Sequence, residues 1–451
     1  MFKVLQLCKA LKEVLGHAAD EAAKLCGWQI RKGKLSGSRF AQTLVLGWLK
    51  NPASTLEQMS QTASGLGVSV SESAIHQRFN QHSAEMMRHL LEKAVQEVVI
   101  GSEPENIELL GRFTSVQVGD STSIALPEPL QEQWPGCGGS YGAGKAALKA
   151  HVMLDLKQGA LRGPFLGPGR VPDQISPLQE LELEAGSMRI MDLGFFVLGV
   201  LQKLSERAVY WLSRLQHQSA LFDEQGQRIE LGELLRRTKG DSLDMSVRLG
   251  VQERLEARLL ALRVPLDIAA ERRRRLRQNA KDKGRTPSER SLALCDWTLL
   301  VTNVPPEKLS LEESLVLARA RWQIELLFKL WKQHGLLDEW RTLKPWRILT
   351  EVYAKLLALL IQHWCIVASL WNRADRSMVK AAQTIRESAM ALIYAFDQFT
   401  ELAQVLHKLI STLSRGCRLN RRKKHPNTYQ LLNDPMLNPQ LELSKELDKA
   451  A

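Results

Sequence analysis

Arg321-Trp322-Gln323-Ile324-Glu325-Leu326-Leu327-Phe328-Lys329-Leu330-Trp331-Lys332 is made of strong helix formers, with neither Pro nor Gly before Gly335, and reads as helix. At about 100° per residue, Arg321, Glu325, Lys329 and Lys332 fall on one narrow stripe. Ile324, Leu327, Phe328, Leu330 and Trp331 take most of the remaining circumference. A surface helix carries a broad polar face, so one this apolar is expected to be largely buried, with its charges directed into something. Two accounts of the stripe stand side by side. One is an i,i+4 ladder of ion pairs, Arg321–Glu325–Lys329, on a solvated face. The other is a carboxylate flanked by cations in apolar surroundings, which is what metal-dependent phosphoryl transfer needs.

The balance of the whole chain bears on that choice. Its 451 residues suffice for about two to four domains. Hydrophobic (44%) and charged (24%) fractions are ordinary for a globular protein, but a net charge of +12 and a pI near 9.4 are not. The excess favours nucleic acid, because neutralising phosphates releases counterions. It favours a membrane surface less, since no long basic amphipathic segment stands out. Cys8, Cys26, Cys137, Cys295, Cys365 and Cys417 are scattered without zinc-ligand spacing and read as reduced. No signal peptide is evident at the amino terminus. The apolar stretch Ala354 to Trp371 carries Lys355, Gln362 and His363 and reads as a buried core helix rather than a membrane span. The expected location is cytoplasmic or nucleoid-associated.

Residues up to about Gly101 read as helical. Leu56 to Ser64, the turn Gly65-Leu66-Gly67 and Glu72 to Asn80 resemble a helix-turn-helix, with Ser71 as N-cap and Ser73, His76, Gln77 and Arg78 placed to reach DNA. A plain helical hairpin fits the same pattern. From Ser115 the texture changes: Ser115 to Asp120 reads as a strand ending in a carboxylate, followed by strands Ala147 to Leu156 and Ala160 to Leu166. Met188 to Asp192 is another short strand ending in Asp, with a helix from Phe195 to about Arg207 and the strand Val209 to Leu212 behind it. Acidic residues at neighbouring strand ends point into one crevice of an α/β sheet. From about Arg214 to Pro306 short alternating runs read as a strand-rich insertion. It carries the basic run Glu271 to Arg277, with Lys281, Lys283 and Arg285, as a phosphate-contacting surface. A second basic run spans Arg415 to Lys424 in a helical carboxy-terminal region.

Asp120 and Asp192 at strand ends, with Glu325 on the helix, form an all-oxygen set of the kind hard divalent cations take. With them the chain resembles the insertion-sequence-four family of bacterial DDE transposases. The resemblance rests on the spacing Arg321-x-x-x-Glu325-x-x-x-x-x-x-Lys332, on Gly119-Asp120-Ser121-Thr122 and Met191-Asp192-Leu193-Gly194-Phe195, and on the strand-rich insertion before the glutamate. It covers roughly Ser115 to Trp340. It implies an α/β ribonuclease-H-like catalytic core, in two parts at 102–213 and 307–344. A strand-rich insertion at 214–306 separates the parts, and a helical DNA-binding region (1–101) and a helical region (345–451) flank them. It further implies that Asp120, Asp192 and Glu325 bind two Mg²⁺ ions, with Mn²⁺ able to substitute. Cleavage at transposon ends and transfer of the freed 3′-hydroxyl to target DNA follow, through a hairpin intermediate and in a homodimer that synapses two ends of double-stranded DNA.

In that family Arg321 and Lys332 hold phosphates beside the scissile bond. Lys329 shares their stripe as a further DNA-facing cation, without a family role. Trp297 stands where the family presents an aromatic to stack a flipped base, though a core tryptophan on the strand Trp297 to Val301 reads equally well. One position departs: the signature's Tyr is Ala318 here, which removes a hydroxyl from the phosphate near the flipped base. Gly139 to Lys145 fits the start of a phosphate-binding loop but is followed by Ala146 and a strand, so no nucleotide cofactor is expected. The competing functions are a ribonuclease-H-like DNA nuclease without strand transfer and an inactive DNA-binding element copy.

Overall fold

The computed structural model describes residues 2–29, 33–97, 99–101, 107–138, 144–373, 375–419 and 426–437. The chain forms two compact units: Met1–Glu105, Asp120–Val171 and Gln323–Leu419 make the first, and Asn106–Gly119, Pro172–Trp322 and Asn420–Ala451 the second.

In the first unit the helices from both ends of the chain pack together. Its centre is the helix Pro345–Leu370, which Pro345 opens at a position where its missing N–H costs nothing. By length and composition this helix could cross a membrane, but its most apolar window is wholly buried in protein. The helix Gln81–Gln96 meets it through Ser83 Oγ and Thr350 Oγ1, 2.9 Å apart. Arg39 holds the Asp397 carboxylate with two 2.8 Å bonds, tying the helix Gly37–Lys50 to the turn before Phe399–Arg415.

The helix-turn-helix expectation is corrected in its second element. Leu56–Gly65 forms with a Thr55/Gln58 capping box, and Ser71 caps the next helix as expected. That helix stops at His76, because Asn80 already caps Gln81–Gln96 by accepting from Ser83 N. Two of the proposed reading residues are engaged internally: Arg78 stacks its guanidinium on Trp28 (5.3 Å), and His76 Nε2 lies 3.3 Å from Lys344 Nζ.

Strand β1 (Val116–Leu126) supplies residues to both units. Asp120 sits inside it rather than at its end. The strand continues because Thr122, Ile124 and Leu126 are buried while Ser123 and Ala125 are exposed, a period-two pattern beyond the carboxylate. In the first unit the order is β3-β2-β1, with β2 (Ala146–Asp155) antiparallel to β3 (Leu161–Pro168). Their turn needs glycine at 159. Its φ is +72°, and a Cβ there would lie 2.4 Å from the Trp371 ring.

In the second unit the order is β1-β4-β5-β10-β9-β8-β6-β7. β4 (Met188–Met191) and β5 (Tyr210–Arg214) extend β1 in parallel, joined by the helix Leu198–Glu206. The strands β6 (Leu221–Phe222), β7 (Arg228–Ile229), β8 (Ser242–Leu249), β9 (Leu255–Arg263) and β10 (Trp297–Thr302) give the insertion its strands. Its basic run is not strand or loop but the helix Leu266–Asp282, supported by Glu271 pairing with Arg274 and Arg275 one turn on. Arg258 anchors the insertion. Only 7% exposed, it grips Asp244 and donates to the Val304 and Leu309 carbonyls. All six cysteines are free.

The β2–β3 turn is locked to the long helix by His363, whose Nε2 lies 2.7 Å from Gly159 O while its other ring nitrogen has no partner among the described residues. Burial pulls its pKa down to about 4. Because the folded value lies below the unfolded one (about 6.5), this contribution is complete above about pH 6.5 and lost as pH falls towards 4. Over that window the wild type is expected to lose about 3 kcal/mol more stability than His363→Gln, which keeps a donor for Gly159 O without titrating. Denaturant melts at stepped pH check this, and parallel curves would refute it.

Candidate active site

The signature segment folds as three pieces, not one helix. Ser310 and Glu313 close a capping box on Leu311–Ala320. The chain turns at Arg321, re-enters helix at Trp322–Lys329, and widens into a π-helical turn at Leu330–His334. The apolar positions behave as expected: Ile324, Leu327, Phe328, Leu330 and Trp331 are all buried. Phe328 and Trp331 pack edge to face at 5.7 Å. Glu325 and Arg321 are half-buried and Lys329 is exposed. Lys329 pairs with no described carboxylate, so the ladder of ion pairs does not run its length.

A π-turn takes more residues per turn than an α-helix and shifts every later side chain around the axis. Lys332 emerges from it toward β1: its Nζ donates to Ser123 O at 2.7 Å and lies 3.7 Å from the Asp338 carboxylate. Ser123 is three residues past Asp120. Within the first unit, Lys332 thus ties the segment bearing Glu325 to the strand bearing Asp120.

The Asp120 carboxylate accepts from Ser121 N at 2.8 Å. Asp120 lies two residues past Val118, and Val118 is the parallel partner of Ile190 on β4. Asp192 lies two residues past Ile190, at the junction of β4 and the 3-10 turn Leu193–Phe195. Its carboxylate makes no hydrogen bond or ion pair with the described residues. The three carboxylates are oxygen donors, the type a hard divalent cation takes. Among the described residues no three His, Cys, Asp or Glu side chains are gathered closely enough to hold a metal ion.

Trp297 follows the core reading: it is 6% exposed as the first residue of β10, and the Arg263 guanidinium lies over its ring at 4.4 Å. The sequence reading missed Trp322, which is 52% exposed beside Arg321. Helical phase could have found it, since at about 100° per residue Trp322 falls about 20° from Lys329 and opposite the apolar face. In the basic helix, Arg272 donates to Trp297 O and Thr298 Oγ1, Arg273 pairs with Asp296, and Arg274 and Arg275 pair with Glu271. Arg277, Lys281, Lys283 and Arg285 remain for an outside partner. Gly139 to Ala143 of the phosphate-loop-like segment lie outside the described residues. Lys145 beyond them pairs with Glu128, and β2 opens at Ala146. Of the second basic run, residues 420–424 also lie outside the described residues.

A model of the transposase DDE domain matches residues 111–361, more than half of the chain. The chain is 25% identical over 440 residues to the transposase for insertion sequence element IS231F of Bacillus thuringiensis subsp. israelensis, covering 92% of this chain and 91% of that one. Similarity to the transposase for IS231B of Bacillus thuringiensis subsp. berliner is of the same extent, 25% over 441 residues with the same shares. The transposase for IS1151 of Clostridium perfringens is 21% identical over 391 residues, 81% of this chain and 82% of that one. The domain carries a ribonuclease-H-like fold, with which β3-β2-β1 in the first unit and β1-β4-β5 in the second are consistent. It also uses divalent metal. The chain therefore belongs to the DDE transposase family, as an insertion-sequence-four-like enzyme that acts on DNA.

Proposed function

We propose that this transposase cleaves double-stranded DNA at the ends of its own insertion sequence and joins the freed 3′-hydroxyls to target DNA, with Asp120, Asp192 and Glu325 as its metal-binding carboxylates. The observation that carries the assignment is the match of the DDE domain to residues 111–361, a stretch that contains all three carboxylates. Two Mg²⁺ ions, with Mn²⁺ able to replace them, would there activate a water or hydroxyl and stabilise the leaving oxygen.

The remaining residues bind and orient DNA. Arg321 and Lys332 supply fixed positive charge where negative charge grows on the phosphorus. Lys332 reaches that role by exchanging Ser123 O for a phosphate. Lys329 and Trp322, both exposed on the same side of the helix, meet backbone and base respectively. An exposed tryptophan suits stacking on an unpaired base, worth about 1–3 kcal/mol. Ala318 offers no hydroxyl there, which favours slow hairpin formation over loss of the first cleavage. Synapsis of two ends calls for a homodimer, and the substrate places the protein with the bacterial nucleoid in the cytoplasm.

The test uses a plasmid carrying the inverted repeats that flank the gene, a target plasmid and Mg²⁺. Asp120→Ala, Asp192→Ala and Glu325→Ala are each expected to lower cleavage at least about a thousandfold, with end binding kept within a few-fold. Wild-type rates in all three would refute the site, and breaks without joined product would make the enzyme a nuclease.

Trp322→Ala should slow hairpin formation about tenfold or more while initial nicking is kept, as read on gels resolving nicked from hairpin ends. Equal rates for both steps would remove the stacking role.

A further inference from the structure

Arg189 is the most anomalous charge in the second unit. It is 1% exposed in the middle of β4, between Gln117 of β1 and Trp211 of β5, both also buried. One contact accounts for it: Nη2 donates to Gln179 Oε1 at 2.8 Å. Its Nε and Nη1 have no partner among the described residues. A guanidinium held this way is costly, and an apolar side chain would cost less. Burial pulls its pKa down to about 10, so it stays charged at neutral pH.

The contact continues. Gln179 Nε2 donates to Phe195 O at 2.9 Å. Phe195 N in turn donates to Asp192 O at 3.0 Å, closing the 3-10 turn Leu193–Phe195. Gln179 is itself fixed at the end of the turn Pro177–Gln179, which the buried Ser176 caps. A single amide therefore spans from the strand that precedes Asp192 to the turn that follows it. Arg189, a donor only, fixes which way that amide faces: with the oxygen taken, the NH₂ is left for the Phe195 carbonyl.

We propose that Gln179, oriented by Arg189, is a positioning residue that sets the direction of the Asp192 carboxylate. The proposal rests on reading Asp192 as a catalytic carboxylate. Followed bond by bond, the brace runs Arg189 → Gln179 → Phe195 → Asp192 and returns to Arg189 along the backbone of β4.

Gln179→Glu separates this role from a purely structural one. The new carboxylate gives the buried guanidinium a better partner, so thermal stability is kept or raised, but it cannot donate to Phe195 O. With the full-length enzyme and a plasmid bearing its element ends, kcat for cleavage is expected to fall about 10- to 100-fold at unchanged end affinity. The melting temperature should be equal or higher. Arg189→Lys keeps a charged donor for Gln179 and should hold kcat within a few-fold of wild type. Arg189→Met, apolar and of similar length, should fall as Gln179→Glu does while melting no lower. Wild-type kcat in Gln179→Glu, with Asp192→Ala inactive, overturns the brace alone. Wild-type kcat in both overturns the assignment of Asp192 and the brace with it. Should Gln179→Glu fold poorly, equal kcat in Arg189→Lys and Arg189→Met overturns the proposal by itself.

Discussion

Val118 on β1 and Ile190 on β4 are parallel partners, and that pairing fixes the register of β1 against β4. Side chains alternate along a strand, so a slip of one residue would send Asp120 and everything after it to the opposite face. The pairing is protected by burial on both sides: Val116, Val118, Met188 and Ile190 are each no more than 1% exposed. The parallel pairing of β4 with its other neighbour, β5, demands a crossover, which the helix Leu198–Glu206 provides. Asn303 secures that arrangement, accepting from Trp211 N and donating to Val209 O and Ser205 Oγ.

What the sequence made legible follows from where physical signals are local. The apolar face of the Glu325 helix was readable because helical period is a property of neighbouring residues, and all five of its apolar positions are buried. The strands β2, β3 and β4 were readable for the same reason. Asp120 was misplaced at a strand end because the residues after it, Ser121 to Ser123, look like a turn until Ile124 and Leu126 find a core. The break at Arg321 and the π-turn at Leu330 leave no mark in propensity; they are imposed by packing. Trp297 and Trp322 show the limit most clearly. Trp297 stands between Asp296 and Thr298 with no local sign that Arg263 will cover it, whereas helical phase already turns Trp322 away from the apolar face.

The net charge of +12 survives a similar correction. The arginine cluster looked like an uncommitted phosphate surface, yet Arg272 and Arg273 are engaged by Trp297 O and Asp296, and the exposed Arg274 and Arg275 pair with Glu271 on the same helix. Surface pairs such as those with Glu271 contribute little to stability, about 0–1 kcal/mol. They support the helix Leu266–Asp282, which carries Arg277 and Lys281 in its second half, with Lys283 and Arg285 just past its end. Counting charges gives the right class of partner; the internal pairs decide which residues are left to meet it.

Buried polar groups argue in the same direction. Arg258 is buried and fully used, gripping a carboxylate and two carbonyls, so its desolvation is offset and the insertion gains an anchor. Arg189 is more buried still, but among the described residues it has a single neutral partner and two nitrogens without one. A side chain kept for stability would resemble the first, since a half-satisfied buried charge is worse than an apolar core. Departures of that kind are expected where function sets the choice of residue. Arg189 lies three residues before Asp192 on the same strand, and its partner reaches the turn just beyond it. On the proposed reading of Asp192, the cost falls where fixing one carboxylate would matter more than a fraction of the folding free energy.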